Sequence, residues 1–237
     1  MTYQNDLGQL IGFPVPEWTL RPHPSREPVS GRFCRIEPIS IERHAGDLHT
    51  AYLEDTENRI WTYLPYGPFQ TLADYTAWMQ RTCLGDDPLF HAIIDLSSGK
   101  AVGVASYLRI DPLNGVIEVG HINYAPRLQR TPIATEAMYL LMKRVFEAGY
   151  RRYEWKCDAL NAKSRAAAQR LGFSYEGIFR QAAVYKGRNR DTAWYAIIDA
   201  EWPQLQAAYQ VWLAPENFSA SGQQLSRLST LTGPTLK

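Results

Sequence analysis

A polar segment at residues 127–136 leads into the clearest helical pattern of the chain. It reads Arg-Leu-Gln-Arg-Thr-Pro-Ile-Ala-Thr-Glu, in which Thr131 is a suitable N-cap and Pro132 a suitable first helical residue. A helix N-terminus exposes unpaired amides and about half a positive charge, which together favour a bound phosphate group. Because every helix has an N-terminus, this segment indicates a phosphate site only in combination with other features.

A second polar segment, Asn161-Ala162-Lys163-Ser164, begins a shorter helical pattern. Asn161 is a suitable cap, and Ser164 falls in the first turn. Taken alone, both residues are typical of an ordinary helix start. The segments Arg170-Leu171-Gly172-Phe173 and Glu176-Gly177 follow this helix.

Alternating and helical patterns predict the elements that position these segments. Strands are predicted at 33–39, 90–95, 101–110, 115–124, 152–157, 174–184 and 192–199. Helices are predicted at 41–59, 71–83, 132–148 and 162–171. The strand–helix–strand order from 115 to 157 implies one parallel crossover in an otherwise antiparallel sheet. The predicted class is therefore α+β, or mixed α/β, with a single mostly antiparallel sheet flanked by helices.

The two ends of the chain differ from its centre. Residues 1–32 are rich in proline, and we predict an irregular arm that Phe13 and Trp18 pin to the core. Residues 33–213 form the predicted domain, including a C-terminal helix. Residues 214–237 are rich in Ser, Thr and Gly and predict a flexible tail.

Composition excludes several classes of protein. The 237 residues include 25 Lys and Arg against 24 Asp and Glu, a balance that disfavours a nucleic-acid partner. The three cysteines lie far apart and form no CxxC motif, so we predict neither a metal site nor a disulfide framework. No signal-peptide pattern and no run of about 18 apolar residues occurs, so we expect a cytoplasmic protein without a membrane partner.

The order and spacing of these segments resemble the GCN5-related N-acetyltransferases (GNAT), in particular their RimJ/RimL-like branch. The resemblance spans roughly residues 33–200 and rests on Gln129–Ala134, Thr135-Glu136-Ala137, Asn161-x-x-Ser164 and Arg170-Leu171-Gly172-Phe173-x-x-Glu176-Gly177. The chain is also similar to acetyltransferase modules that detoxify aminoacylated nucleotide antibiotics of the microcin C type. The resemblance implies the GNAT fold, with a splayed parallel strand pair at the site of the cosubstrate, acetyl-CoA.

The resemblance also implies which residues contact the coenzyme. The backbone of His121, Ile122 and Asn123 would pair with the pantetheine arm like an added strand. Asn161 would hold pantetheine, and Ser164 would assist the departing thiolate. The remaining contacts would come from the phosphate loop, namely Gln129, Arg130, Thr131, Ile133, Ala134 and Thr135.

Proline stands at position 132, where the phosphate loop of the family usually has its first glycine. Proline removes one amide donor, but an amide at the first helical position has no partner within the helix. We therefore expect coenzyme binding to persist with one altered contact.

The nature of the acceptor follows from the reaction that the resemblance implies. Only a neutral amine attacks a thioester, and an α-amine with a pKa of about 8 is far more often neutral at pH 7 than a lysine is. We therefore expect an α-amino group of a protein N-terminus or of a small aminoacyl compound, attacking directly in a ternary complex.

No general base is evident from the residues. RimL-like members carry a glutamate two residues after the glutamine of their Arg/Lys-Gln pair; the corresponding run here is Arg180-Gln181-Ala182-Ala183, which lacks that carboxylate. A water held by Glu118, His121 or Tyr185 would be the substitute. Glu118 is equally well explained as a structural charge, and His121 is more often a satisfied strand histidine than a base.

Two segments are candidate contacts for the acceptor. Trp61, Tyr63, Tyr66 and Phe69 form an aromatic loop that either stacks on a base or aromatic side chain or fills the space beneath the sheet. The basic turn either touches a substrate phosphate or is a solvated hairpin tip in which Asp191 pairs locally; it contains Lys186, Arg188 and Arg190.

Two hypotheses other than an enzyme stay open for the function of the chain. The missing glutamate and Pro132 motivate a non-catalytic acyl-CoA-binding module. A protein that docks on RNA is disfavoured by the near-neutral charge. A homodimer is compatible with the resemblance, although no residue specifies an interface.

Overall fold

The computed structural model describes residues 2–237. Its strands are β1 (Tyr3–Gln4), β2 (Leu10–Ile11), β3 (Val29–Ser30), β4 (Cys34–Pro38), β5 (Leu89–Asp95), β6 (Lys100–Asp111), β7 (Val116–Tyr124), β8 (Arg152–Asp158), β9 (Ser174–Tyr185) and β10 (Arg188–Ile198). Its helices are α1 (Ile41–Tyr52), α2 (Leu72–Thr82), α3 (Pro132–Glu147), α4 (Ala162–Arg170), α5 (Trp202–Leu213) and α6 (Leu228–Thr232). This order confirms the predicted mixed α/β class.

Eight strands form the central sheet in the order β3-β4-β5-β6-β7-β8-β10-β9. Every neighbouring pair is antiparallel except β7 and β8, which are parallel and are joined through α3. The predicted sheet, mostly antiparallel with one parallel crossover, is therefore confirmed.

The two faces of the sheet are covered differently, because successive strand residues point to opposite sides. On one face, α3 and α5 bury residues such as Ile117, Tyr153 and Tyr195 in the larger apolar core. On the other face, α1 and α2 pack over β5 and β6 in a second core. Alternate residues of β7, β8 and β10 lie on this second face beyond the two helices, and several of them are charged.

Helix α1 ends at Tyr52, before the predicted end at residue 59. The Asp55 carboxylate accepts a hydrogen bond from the Ile60 amide at 2.7 Å, and Asn58 adopts a left-handed φ of 56°. Asp and Asn side chains offer the backbone such alternatives to the helix. The chain therefore turns here into the aromatic loop.

Helix α3 starts and ends as its sequence predicts. The Thr131 side chain caps it by accepting from the Ala134 amide, and Pro132 is the first helical residue. Gly149, just beyond the last turn, has a φ of 83°, in the left-handed region that glycine adopts without strain. These local signals set both ends of the helix that leads from the phosphate loop.

Glu136 ties the start of β4 to α3. Its buried carboxylate accepts three backbone amides, from Arg32 at 2.7 Å, Phe33 at 2.6 Å and Cys34 at 2.8 Å. A Cβ at Gly31 would lie 2.3 Å from this carboxyl group, so the close approach requires glycine. The first turns of α3 are thus attached to the opposite part of the sheet.

The N-terminal arm is anchored by Trp18. Its indole nitrogen donates to the Leu113 carbonyl at 2.7 Å, and its ring lies against Gly115. Phe13 is 58% exposed and makes only a distant approach to the Arg151 guanidinium. The arm also contains β1, β2 and β3, and β3 extends the central sheet, so the arm is less irregular than its prolines predict.

Residues 214–237 differ from the predicted flexible tail. Leu228 and Thr232 are fully buried. The Thr232 hydroxyl donates to the Arg170 carbonyl at 2.9 Å, and the Lys237 amide donates to the Ser174 hydroxyl at 3.0 Å. The Ser/Thr-rich composition suggested mobility, but one leucine anchor and these hydroxyl contacts hold the segment against α4 and α5. The division into arm, domain and tail stays a prediction.

Candidate active site

The parallel strands β7 and β8 separate midway along their length. Their ladder runs from Val116 opposite Arg152 to Val119 opposite Trp155. Beyond that point β7 pairs only with β6, and His121 has a φ of 48° within a bulge of β7. A cleft therefore opens between the ends of the two strands, as predicted for a splayed pair.

The phosphate loop follows β7 directly and brings backbone donors to this cleft. Arg130 adopts a left-handed φ of 62°. In the described part of the chain, the amides of Arg130, Thr131 and Ile133 donate to no protein acceptor. Pro132 has no amide to offer and sits between two of these donors. A 16-residue helix that begins with open amides has the local features of an anion-binding site.

Other predicted members of the loop are engaged with the protein itself. The Gln129 side chain donates to the Tyr124 carbonyl at 3.0 Å. The Ala134 amide donates to the Thr131 hydroxyl at 3.3 Å. Gln129 and Ala134 therefore shape the loop, and the open donors are their neighbours.

Thr135 links the phosphate loop to α4. It is only 2% exposed, and its hydroxyl accepts from the Arg170 guanidinium at 3.0 Å. The Arg170 guanidinium also lies 5.6 Å from the Trp212 ring centre. Thr135 thereby fixes α3 relative to the helix that carries Asn161 and Ser164.

Ile122 and Asn123 lie on the splayed end of β7. Ile122 is half-buried against the larger core. The Asn123 carbonyl accepts from the Tyr52 hydroxyl at 3.1 Å. The buried Oδ1 of Asn123 has no hydrogen-bond partner among residues 2–237. Such an unpaired buried acceptor is unusual and is compatible with a ligand in the cleft.

Asn161 and Ser164 lie where α4 begins, just after the end of β8. Asn161 caps the helix by accepting from the Ser164 amide at 3.1 Å. The Ser164 oxygen accepts from the Trp155 indole nitrogen at 3.0 Å. Because this oxygen is already an acceptor, the hydroxyl proton of Ser164 is left to donate.

Glu118 lies between two cations on the second face of the sheet. It is 3% exposed and pairs with Arg109 and, at 3.0 Å, with the Lys156 ammonium. Lys156 also contacts Glu154 at 2.7 Å and lies 3.6 Å from the Trp194 ring centre. Both cations contact the same carboxylate oxygen of Glu118, Oε2. This shared ion pair favours the structural-charge interpretation of Glu118, while its Oε1 accepts no hydrogen bond within residues 2–237.

His121 is enclosed by aromatic rings. Its Nδ1 lies 3.1 Å from the Tyr66 hydroxyl, and its ring is 5.0 Å from that of Phe90. Burial, and then the positive charge of Arg109, lower the pKa of His121 to about 4. His121 is therefore neutral at neutral pH and too weakly basic to take a proton from an ammonium group.

The aromatic loop divides into two parts. Three of its rings fill the space between α1, α2 and the sheet, as one of the two interpretations of the sequence predicted. These rings are Trp61, Tyr66 and Phe69, and Trp61 is only 4% exposed. Tyr63 stands apart, and its hydroxyl donates to the Leu160 carbonyl at 3.2 Å. Only Tyr63 of this set therefore lies beside the end of β8.

The sequence analysis missed Asp158, the last residue of β8. It is 5% exposed; its Oδ1 accepts from the Leu160 amide at 2.8 Å and its Oδ2 from the Tyr185 hydroxyl at 2.9 Å. Burial, together with this hydrogen bond and the negative charge of Asp158, raises the pKa of Tyr185 to about 12. The Tyr185 hydroxyl is therefore a hydrogen-bond donor to Asp158, and no sequence motif indicated this contact.

Lys186 closes the site from the side of the hairpin. Its ammonium donates to the Trp61 carbonyl at 2.8 Å, and burial lowers its pKa. Three segments thus surround the carboxyl end of β8. They are called the β8 rim below and comprise residues 61–63, 158–160 and 185–190.

Comparison with known families identifies this arrangement. The acetyltransferase (GNAT) domain matches residues 34–174. The chain belongs to the GNAT family. The predicted family and fold are therefore confirmed, and the phosphate loop, the splayed strands and α4 all lie within the matched residues.

Individual relatives agree with this assignment. The ribosomal-protein-serine acetyltransferase of Escherichia coli K12 is 34% identical over 104 residues, which are 43% of this chain and 58% of that protein. A GCN5-related N-acetyltransferase from Brucella melitensis is 48% identical with a TM-score of 0.90, over 92% of this chain and all of the other. The microcin C7 self-immunity acetyltransferase MccE, solved with acetyl-CoA and AMP, shares the fold at 22% identity and a TM-score of 0.62, over 71% and 93% of the chains.

Residues 2–237 contain neither a candidate membrane-spanning helix nor a candidate metal site. No helix within residues 2–237 has the length and apolar character needed to span a membrane. In the same part of the chain, no three His, Cys, Asp or Glu side chains are grouped so that they could hold a metal ion.

Proposed function

We propose that this GNAT protein is an acetyl-CoA-dependent N-acetyltransferase that modifies a primary amine, an α-amino group of a protein N-terminus or of a small aminoacyl compound. The main observation in support of this proposal is that β7 and β8 separate beside a helix N-terminus with three open amides. The names of the relatives support the reaction class, and the MccE structure supports the coenzyme.

The residues present fit the coenzyme. The amides of Arg130, Thr131 and Ile133 would hold the diphosphate, because they combine open donors with the positive end of α3. The separated strands leave room for the pantetheine arm beside Ile122 and Asn123. Asn161, at the start of α4, would lie at the sulfur end of the arm.

Ser164 would protonate the leaving group. The amine nitrogen attacks the thioester carbonyl, a C–N bond forms, and the C–S bond then breaks to release a thiolate. The Ser164 oxygen is held by the Trp155 indole, so its proton points away from that donor. A polarised hydroxyl is a better donor to a developing anion.

The acceptor loses its proton without help from Glu118 or His121. Glu118 is held by two cations, and the pKa of His121 is about 4. An α-amine is already neutral in a substantial fraction of molecules near pH 8. After attack, the nitrogen of the intermediate would release its proton to water, and the Ser164 oxygen would regain from water the proton that it gives to the thiolate.

The test separates this enzyme from a non-catalytic acyl-CoA-binding module. The protein is incubated with acetyl-CoA, a thiol reagent and a panel of aminoacyl amides, and coenzyme binding is measured by calorimetry. Turnover of any amine supports the enzyme. Tight coenzyme binding without turnover across the panel supports the module, and no binding of the coenzyme contradicts both.

A further inference from the structure

The hairpin of the β8 rim presents an arginine at a defined place. Lys186 and Gly187 have φ values of 49° and 70°, as expected for a tight two-residue turn. Arg190 follows on β10, two residues before Thr192, which pairs with Asp158. Since residues two apart on a strand share a face, Arg190 lies beyond the carboxyl end of β8 on the face of Thr192.

Arg190 has no carboxylate partner. Its Nε donates to the Thr192 hydroxyl at 3.1 Å, and its guanidinium lies 6.0 Å from the Tyr185 ring centre. Within residues 2–237, no protein group accepts from its two terminal nitrogens and no acidic side chain forms an ion pair with it. Arg190 is nevertheless half-buried. Its two terminal nitrogens are therefore free to donate to water or to an anionic ligand.

The nearby carboxylates are already engaged. Both oxygens of Asp158 accept hydrogen bonds within the rim. Asp191 makes local contacts, as the sequence predicted: it accepts hydrogen bonds from the Gln181 amide at 2.8 Å and from the Asn189 side chain at 3.0 Å. The rim therefore presents a positive charge that its own acids do not neutralise.

Resting on the function proposed above, we propose that Arg190 binds an oxyanion of the acceptor, so that the preferred acceptors are amines carrying a carboxylate or phosphate. The planar guanidinium suits either group through paired hydrogen bonds. An open recess of about 640 Å³ lies on β9, beside the irregularity of the ladder opposite residues 190–192; Phe179, Arg180, Gln181 and Ala182 line it and Arg190 does not. Arg180 adds a second cation there.

Matched acceptor pairs test this specificity. One pair is a dipeptide and its C-terminal amide; the other is glycyl-O-phosphoserinamide and glycyl-serinamide. We expect wild-type kcat/KM to favour the anionic member of at least one pair about ten- to hundredfold, the effect of charge-assisted hydrogen bonds. The pair that shows the preference identifies a carboxylate or a phosphate as the bound group.

Variants then assign the preference to Arg190. Arg190→Gln should abolish the discrimination, and Arg190→Lys should retain part of it, because Lys keeps the charge without the planar pair of donors. Arg81→Gln, which removes one exposed positive charge from α2, should leave the discrimination unchanged. Coenzyme affinity, measured by calorimetry, should be the same in all variants.

The outcomes distinguish this proposal from the proposed function. Equal kcat/KM values within both wild-type pairs, or an unchanged preference in Arg190→Gln, would overturn it while the enzyme stands. If no amine is turned over, the proposed enzymatic function is wrong. The oxyanion proposal is then tested by calorimetry, in which the same acceptor pairs are titrated into the coenzyme-bound protein. Tighter binding of an anionic member that Arg190→Gln abolishes then supports the oxyanion site; equal or absent binding overturns it.

Discussion

The two sides of the cleft are built in different ways. The coenzyme side consists of backbone amides and caps at the starts of α3 and α4, so each contact lies within a few residues of its neighbour. The acceptor side is assembled from side chains far apart in sequence, such as Lys186 on the Trp61 carbonyl. This difference predicts which substitutions matter: changes to the backbone should damage coenzyme binding, and changes to side chains should damage acceptor selection.

The largest effect should come from the attachment of α3 to the rest of the sheet. Glu136→Ala leaves three backbone amides without their carboxylate, and one of them, the amide of Cys34, is buried. A buried donor without a partner costs about 1–3 kcal/mol, so we expect the free energy of unfolding to fall by about 4 kcal/mol in urea titrations.

Glu147→Ala is the matched control for Glu136→Ala. It lies on the same helix and is exposed, with only a 3.7 Å contact to Lys143. Its expected cost is about 0.5 kcal/mol or less. Similar unfolding midpoints for the two variants would show that the Glu136 contacts do not support α3.

Ser164 should show the largest effect on chemistry. Ser164→Ala removes the hydroxyl that would protonate the thiolate, and general-acid assistance contributes at least about a hundredfold. We therefore expect kcat to fall about a hundredfold, with the KM for acetyl-CoA unchanged. Trp155→Phe, which removes the indole donor to this hydroxyl together with part of a buried ring, should lower kcat by a smaller factor.

Ser229→Ala provides the control for Ser164→Ala, because Ser229 is an exposed serine of α6. Its steady-state parameters should equal those of the wild type. A Ser164→Ala enzyme with wild-type kcat would remove Ser164 from the reaction and leave it as a residue of the first turn of α4.

The phosphate loop tests whether backbone rather than side chain holds the coenzyme. Ile133→Pro deletes one open amide in the first turn, where proline is tolerated. Ile133→Ala removes most of the side chain but keeps the amide. We expect the Kd for coenzyme A to be about tenfold higher in the proline variant than in the alanine variant. Equal affinities by calorimetry would show that this amide makes no contact.

Local signals explain why the coenzyme side was predictable. Thr131, Pro132 and Asn161 are residues whose types set helix ends, and the structure places them as expected. The same signals did not separate open donors from engaged ones. The side chains of Gln129 and Thr135 bond to Tyr124 and Arg170, contacts that depend on the folded loop, and the assignment of these two residues to the coenzyme stays a prediction.

Long-range contacts explain what the sequence did not show. Asp158 receives the Tyr185 hydroxyl across 27 positions, and no spacing rule connects a strand end with a distant hairpin. Leu228 likewise anchors a segment whose composition suggested mobility. Apolar residues scattered through a Ser/Thr-rich segment are a weak signal in sequence, yet Leu228 is fully buried and Phe218 and Leu231 pack against the same core.

The smallest effect on catalysis is expected at His121, which the sequence offered as a base. His121→Gln should change kcat/KM less than about threefold, because a group with a pKa of about 4 is not the base at neutral pH. Stability should respond instead. Burial lowers the pKa from the ordinary 6.5, so the unfolded chain binds the proton more tightly, and wild-type stability falls as the pH drops from 6.5 towards 4. In urea titrations, the free energy of unfolding of His121→Gln should therefore fall less over this pH range than that of the wild type. A large fall in kcat/KM with an unchanged stability profile would instead assign His121 to the chemistry.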